Sequence, residues 1–138
     1  MNDVEYRLSP PVSNDALNAL FAEAWPGPWP DWDFGPVLQR SLGYVCAYLE
    51  GELVGFVNVA WDGGVHTFLL DTTVRSDLRR QGIGRQLVSH AEALARQSGA
   101  EWLHVDYDPE LESFYRGCGF QHTPAGLINL RHTSGEGR

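Results

Sequence analysis

The chain contains no lysine, so all ten of its basic residues are arginines. This excludes Schiff-base chemistry by a protein amine, and it excludes a Walker A loop, GxxxxGK[ST], whose lysine must reach the phosphates. Cysteine is scarce: Cys46 and Cys118 stand far apart, without CxxC spacing. Neither a disulfide framework nor a zinc site follows, no metal is expected, and a reducing cytoplasm suits the chain. No run of about 18 apolar residues exists, so no transmembrane helix is expected. The opening stretch MNDVEYRLSP has no basic or apolar region of the kind a secretory signal needs. A net charge of −8 argues against nucleic acid or anionic membrane as the main partner.

What is present suits one domain, expected over residues 1–131, with a frayed tail at 132–138. A first strand is read at Val4–Leu8. Ser13 or Asn14 can cap a helix whose apolar face is Leu17, Leu20, Phe21 and Ala24. The proline-rich WPGPWPDWDFGP, Trp25–Pro36, excludes regular structure over most of its length, and a short helix is expected at about 34–42. Strands at Tyr44–Leu49, Leu53–Trp61 and Val65–Val74 form an antiparallel meander. A helix with one apolar face, positions 83, 87, 88, 91, 94 and 95, runs to Ser98, with Gly99 just past its end. A strand at Trp102–Tyr107 follows. Asp108 then caps a helix begun by Pro109 and ended by Gly117 or Gly119. Strands at Phe120–Thr123 and Leu127–Leu130 are expected to close the chain as a hairpin. The fold class is α+β: a mixed, mostly antiparallel sheet flanked by helices.

Four arginines, Arg75, Arg79, Arg80 and Arg85, fall within eleven positions of an otherwise acidic chain. Gly82 and Gly84 lie among them at the start of the long helix. Unpaired amides and the helix dipole make such a start an anion site, and glycine lets the anion approach the backbone. A dinucleotide fingerprint, GxGxxG, is not met, because Leu87 holds its third glycine position.

The loop resembles the acyl-CoA pyrophosphate loop of the GNAT (general N-acetyltransferase) superfamily, [QR]-x-x-G-x-[GA], as Arg79-Arg80-Gln81-Gly82-Ile83-Gly84. The flanking VRSDLRRQGIGRQLV keeps the family layout, with Ser76 in place of a proline. DPELESFYRGCGF, from Asp108, is similar to N-x-x-A-x-x-F-Y-x-x-x-G-F, with Asp108 for asparagine and Leu111 for alanine. The resemblance covers nearly the whole chain and implies an acetyl-CoA (or other acyl-CoA) cosubstrate and a small-molecule amine acceptor. It implies pyrophosphate on Arg79, Arg80, Gln81, Gly82, Ile83, Gly84 and Arg85, and pantetheine along Thr72, Thr73 and Val74, with Asp108 also on the cofactor side. Tyr115 takes the family's general-acid position, with core packing as its structural alternative.

The base is open between Asp71 and His66. In a regular strand His66, Phe68, Leu70, Thr72 and Val74 share one face and Asp71 lies on the other; a bulge, common in this strand of the family, swaps them. The substrate-facing positions are the apolar Phe68 and Leu70. Trp25, Trp29 and Trp32 form either an aromatic rim for the acceptor or a cap on the core. The other histidines, His90, His104, His122 and His132, are read as surface or packing residues. Direct transfer in a ternary complex is favoured over an acyl-cysteine route, since neither cysteine has an activating neighbour. The rival reading is a non-catalytic acyl-CoA-binding module, and oligomeric state stays open, a homodimer included.

Overall fold

The computed structural model describes residues 3–131. The expected tail, 132–138, with His132, lies outside the described residues. The chain divides into two compact units, Met1–Val105 and Asp106–Arg138. Among the described residues no helix is long and apolar enough to cross a membrane.

In the first unit five strands, β1 (Glu5–Leu8), β2 (Gly43–Leu49), β3 (Glu52–Trp61), β4 (His66–Val74) and β5 (Trp102–His104), lie in sequence order across one sheet. Pairs β1–β2, β2–β3 and β3–β4 are antiparallel and β4–β5 is parallel. The helices are α1 (Asn14–Ala24), α2 (Gly35–Arg40) and α3 (Ile83–Gln97). Ser13 caps α1, its hydroxyl accepting from the Ala16 amide at 3.1 Å. The expected apolar face of α1 is buried in full and joins Phe34, Cys46 and Phe56 in the core on one side of the sheet. On the other side Ile83, Leu87, Val88, Ala91 and Ala95 of α3 are buried. Gly55 permits this packing: a Cβ there would lie 3.0 Å from Leu87 Cδ1 and 3.3 Å from Ile83.

Helix α3 ends as its sequence suggests. Gly99 has φ +84°, and the amides of Gly99 and Ala100 return to the carbonyls of Arg96 and Ala95. This is a Schellman closure, which only a residue tolerant of the left-handed region completes without strain.

In the second unit the expected single helix is split. A 3-10 turn, Pro109–Leu111, precedes α4 (Glu112–Gly117). Asp108 stands at the turn's N-cap but makes no side-chain capping bond. Gly119, φ +105°, terminates α4 rather than Gly117, and the Phe120 amide returns to the Tyr115 carbonyl. The expected C-terminal hairpin is not formed: 120–131 contain no strand, and Leu127, Ile128 and Leu130 are 82%, 69% and 91% exposed. The physical reason lies in the segment. Two four-residue strands joined by Pro124-Ala125-Gly126 offer too little mutual burial to hold a hairpin by themselves.

Candidate active site

Strand β4 carries most of the site. Its ladder with β3 runs Trp61↔Thr67 to Asn58↔Leu70, shifts, and resumes at Phe56↔Thr73. Asp71 and Thr72 therefore both stand opposite Val57, which is the bulge the sequence left open. The alternation changes accordingly: Phe68, Leu70 and then Thr73, not Thr72, fall on the α1 side of the sheet. Asp71 occupies φ +60°, a left-handed conformation that aspartate tolerates better than most residues. Its residue is solvent-exposed, yet the protein crowded round the carboxyl raises its pKa above the ordinary aspartate range by desolvation.

Beyond Phe68 strands β4 and β5 part. Their parallel pairing covers only His66↔Trp102, Thr67↔Leu103 and Phe68↔His104, so β5 is three residues long rather than the expected six. Residues 69–74 continue without a β5 pairing partner, so on that side the backbone edge of β4 has no strand paired to it among the described residues.

The loop after β4 leads into the N-terminus of α3. Gly82 is its N-cap at φ +88°, and the first helical bond runs from the Gln86 amide to the Gly82 carbonyl. The amides of Gly82, Ile83 and Gly84 precede that bond, and helix geometry gives them no carbonyl within α3. Nothing lies within 4 Å of a Cβ built on Gly82, so the space beside the first of these residues is open. Four arginines do not all serve one purpose. Arg75 pairs with Glu52 and Asp77, each at 2.8 Å. The Arg79 guanidinium donates to the Ala24 carbonyl at 2.6 Å, tying the loop to the end of α1. Arg80 and Gln81 are exposed at the tip, Arg80 at φ +65°.

The tryptophans separate into two groups. Trp29 packs against the core beside Phe21, ring centroids 5.2 Å apart, and donates to Asn18 Oδ1 at 2.9 Å. It is partly buried against the core. Trp25 and Trp32 are 44% and 45% exposed. Trp25 Nε1 donates to Thr73 Oγ1 at 3.2 Å. Asn18, which sequence reasoning passed over, and Asn14, read there only as a possible helix cap, pin the segment. Asn18 Oδ1 also accepts from the Trp32 amide and Asn14 Oδ1 accepts from the Phe34 amide, at 3.0 and 2.8 Å. The signal was an asparagine pair at i, i+4 with Asn18 set into the apolar face of α1.

His66 lies near the start of β4, bonded to His104 on β5: Nδ1 to Nε2 is 2.8 Å. His104 also stacks on Phe68, centroids 4.7 Å apart. His104 is therefore part of an aromatic surface with Phe68, a role not legible from spacing. His66 is five residues before Asp71, about 16 Å along a strand.

In the second unit Tyr115 is 7% exposed. Its ring stacks on Tyr107 at 5.1 Å and meets Phe114 and Phe120 edge-on at 4.9 and 5.7 Å. It is packed as a core residue within 106–131, whatever else its hydroxyl does. Cys46 is buried and its thiol is pushed up to about 11, against any nucleophilic role.

The chain belongs to the Acetyltransferase (GNAT) family, whose model matches residues 14–120. Acyl-CoA is the cosubstrate of that family. The chain is 26% identical over 81 residues to an uncharacterized N-acetyltransferase, ycf52, of Pyropia yezoensis, a match over 59% of this chain and 47% of that protein. It is 42% identical over 64 residues to the tRNA(Met) cytidine acetyltransferase TmcA of Pectobacterium atrosepticum, over 45% of this chain and 9% of that one. The chain thus spans less than half the length of these curated relatives. Solved structures share its fold. A GNAT-family acetyltransferase of Streptococcus pneumoniae superposes with a TM-score of 0.77 at 22% identity, covering 93% of this chain and 99% of that one. The aminoglycoside N-acetyltransferase AAC(6')-Iy, solved in complex with CoA, gives 0.76 at 21% identity, over 94% of this chain and 95% of that one.

Proposed function

We propose that this domain transfers an acyl group, acetyl by default, from acyl-CoA to a primary amine by direct attack. The observation that carries the reading is the conjunction of an open, glycine-headed helix N-terminus with a β4 strand parted from β5 directly before it. The residues fit the cosubstrate: amides of 82–84 and the exposed Arg80 suit a pyrophosphate, and the edge of 69–74 suits a pantetheine arm. Bound acyl-CoA supplies an activated thioester. The chain does the rest. An amide of 72–74 donates to the carbonyl oxygen as negative charge develops there. Asp71 accepts the proton the attacking amine must lose; its raised pKa makes it a better base than an ordinary aspartate. Tyr115 donates a proton to the departing sulfur, a role resting on its place in Phe114-Tyr115 of the family motif.

The acceptor side is framed by Phe68 and Leu70 on β4 and by the exposed Trp25 and Trp32. A small amine with an apolar body suits these surfaces, and the acidic chain favours cationic acceptors; aminoglycoside-like polyamines, amino acids and protein N-termini are the classes to compare. A panel of such amines, read by release of CoA thiol from acetyl-CoA, tests the reading. We expect amine-dependent thiol release, and about 10²-fold slower turnover in Tyr115→Phe at unchanged melting temperature. Tight acetyl-CoA binding with no turnover on any amine would favour the non-catalytic module instead.

A further inference from the structure

Three consecutive residues at the end of α1 engage three successive pieces of the site. Glu23 accepts from both the amide and the hydroxyl of Ser76, at the start of the 3-10 turn after β4. Ala24 offers its carbonyl to Arg79, the first residue of the loop motif. Trp25, the C-cap of α1, directs its indole N–H to Thr73. Thr73 is buried at 3% exposure, and its hydroxyl passes the chain on, donating to the Asp71 carbonyl at 2.9 Å. A hydroxyl has one proton to give and lone pairs to receive, so both bonds form at once.

We propose that the Trp25 indole and the Thr73 hydroxyl form a brace that fixes the β4 bulge and so holds Asp71 in its left-handed conformation. Trp25 and Thr73 are positioning residues. The proposal rests on Asp71 being the proton acceptor for its functional meaning, but not for its geometry. A bulge interrupts the β-ladder, and the Asp71 carbonyl takes its bond from a side chain two residues on. Without that bond the extra residue has fewer constraints, and an aspartate at φ +60° has every reason to return to negative φ. The brace also explains why Trp25, although 44% exposed, has a directed polar contact. It joins the segment after α1, pinned at Trp32 and Phe34 by Asn18 and Asn14, to the bulge. The charged groups of this corner, Glu23 on α1 and Arg79 on the loop, are engaged with Ser76 and the Ala24 carbonyl, and the rise in Asp71's pKa comes from desolvation rather than from them.

The test is the titration of the Asp71 carboxyl, followed by carbon-13 NMR of aspartate-labelled protein, with Asp71→Asn identifying the signal. Thr73→Val removes the hydroxyl and keeps the shape; Trp25→Phe removes the N–H and keeps an aromatic ring; Thr73→Ser restores the hydroxyl. We expect the midpoint to move down, toward the ordinary aspartate value of about 3.9, in Thr73→Val and Trp25→Phe, and to stay at its wild-type position in Thr73→Ser. Turnover on an amine found in the panel should fall on the order of 10-fold to 100-fold in the first two variants, as for a misplaced group. An unmoved midpoint in Trp25→Phe, a change at a partly exposed side chain, overturns the brace even if Thr73→Val fails to fold. The base reading fails separately: Asp71→Asn at wild-type turnover removes it, while the NMR result still decides the brace.

Discussion

The two halves of β4 are built differently. From His66 to Leu70 the strand is regular, paired on both edges at its start, and presents His66, Phe68 and Leu70 in strict alternation. From Asp71 to Val74 it has no β5 partner, carries an extra residue opposite β3, and takes a hydrogen bond at Thr73 from Trp25, the C-cap of α1. The first half is a surface. Its exposed groups are apolar or bonded to each other, as His66 is to His104. The second half is a device: a desolvated carboxyl, an open backbone edge and a glycine-headed helix start all lie within a dozen residues of one another in sequence. The difference teaches where to look for chemistry and where for fit. On the proposed function, acceptor shape would belong to the first half, and proton transfer and cosubstrate to the second.

Replacing the titrating group in each half is the hardest test of that division. Asp71→Asn should lower kcat/KM by about 10² to 10⁴-fold, the usual range for a general base. His66→Gln should change it by only about 3-fold or less, since His66 lies roughly 16 Å up the strand. The pH profile sharpens this. The acidic limb of kcat/KM should lie above the ordinary aspartate range in wild type and in His66→Gln, and vanish in Asp71→Asn. A large loss confined to His66→Gln would reverse the assignment and make the His66–His104 pair the base.

Ligand binding should divide in the same way. Gly82→Val puts a β-branched residue at φ +88° and a side chain over the amides at the head of α3. We expect acetyl-CoA to bind about 10-fold to 100-fold more weakly by calorimetry, with the domain still folded. Phe68→Ala should leave acetyl-CoA affinity alone and raise the acceptor KM by about 5-fold, with kcat unchanged, as for binding used equally in ground and transition states. Weaker acetyl-CoA binding in Phe68→Ala would merge the two halves into one site.

Much of this was legible in the sequence, and the reasons differ by element. Helix α3 announced itself because six apolar positions, a glycine start and a Gly99 stop agree. The bulge in β4 could be anticipated only through family resemblance; VHTFLLDTTV has no local mark of an extra residue, and its presence shows in the shifted ladder. The engagement of Arg79 with Ala24 was hidden because the partner is a backbone carbonyl 55 positions away. Trp29 and Trp32 are indistinguishable as letters; Asn18 takes the indole N–H of Trp29 but only the backbone amide of Trp32. The final hairpin failed for an opposite reason. Its apolar residues at 127, 128 and 130 do read as a strand, but a strand exists only where another pairs with it.

The smallest expected effect is on stability, and its sign is the informative part. Folding raises the pKa of Asp71, through desolvation, above its unfolded value. Between those two values the folded protein keeps a proton that the unfolded chain has already released, so stability falls as pH rises through that window. Above the folded pKa the cost of the desolvated carboxylate is present in full; below the unfolded pKa it is absent. Asparagine has nearly the same shape, no charge, and the same tolerance of φ +60°. Asp71→Asn should therefore melt with wild type in acid and above it at neutral pH, with the gap opening as pH rises through the folded pKa. Melting curves of the two proteins from about pH 3 to pH 8 measure this. A gap that does not change with pH would mean that the carboxylate carries no desolvation cost. An inactive variant that is also the more stable one at neutral pH is the signature of a residue kept for chemistry at the expense of the fold.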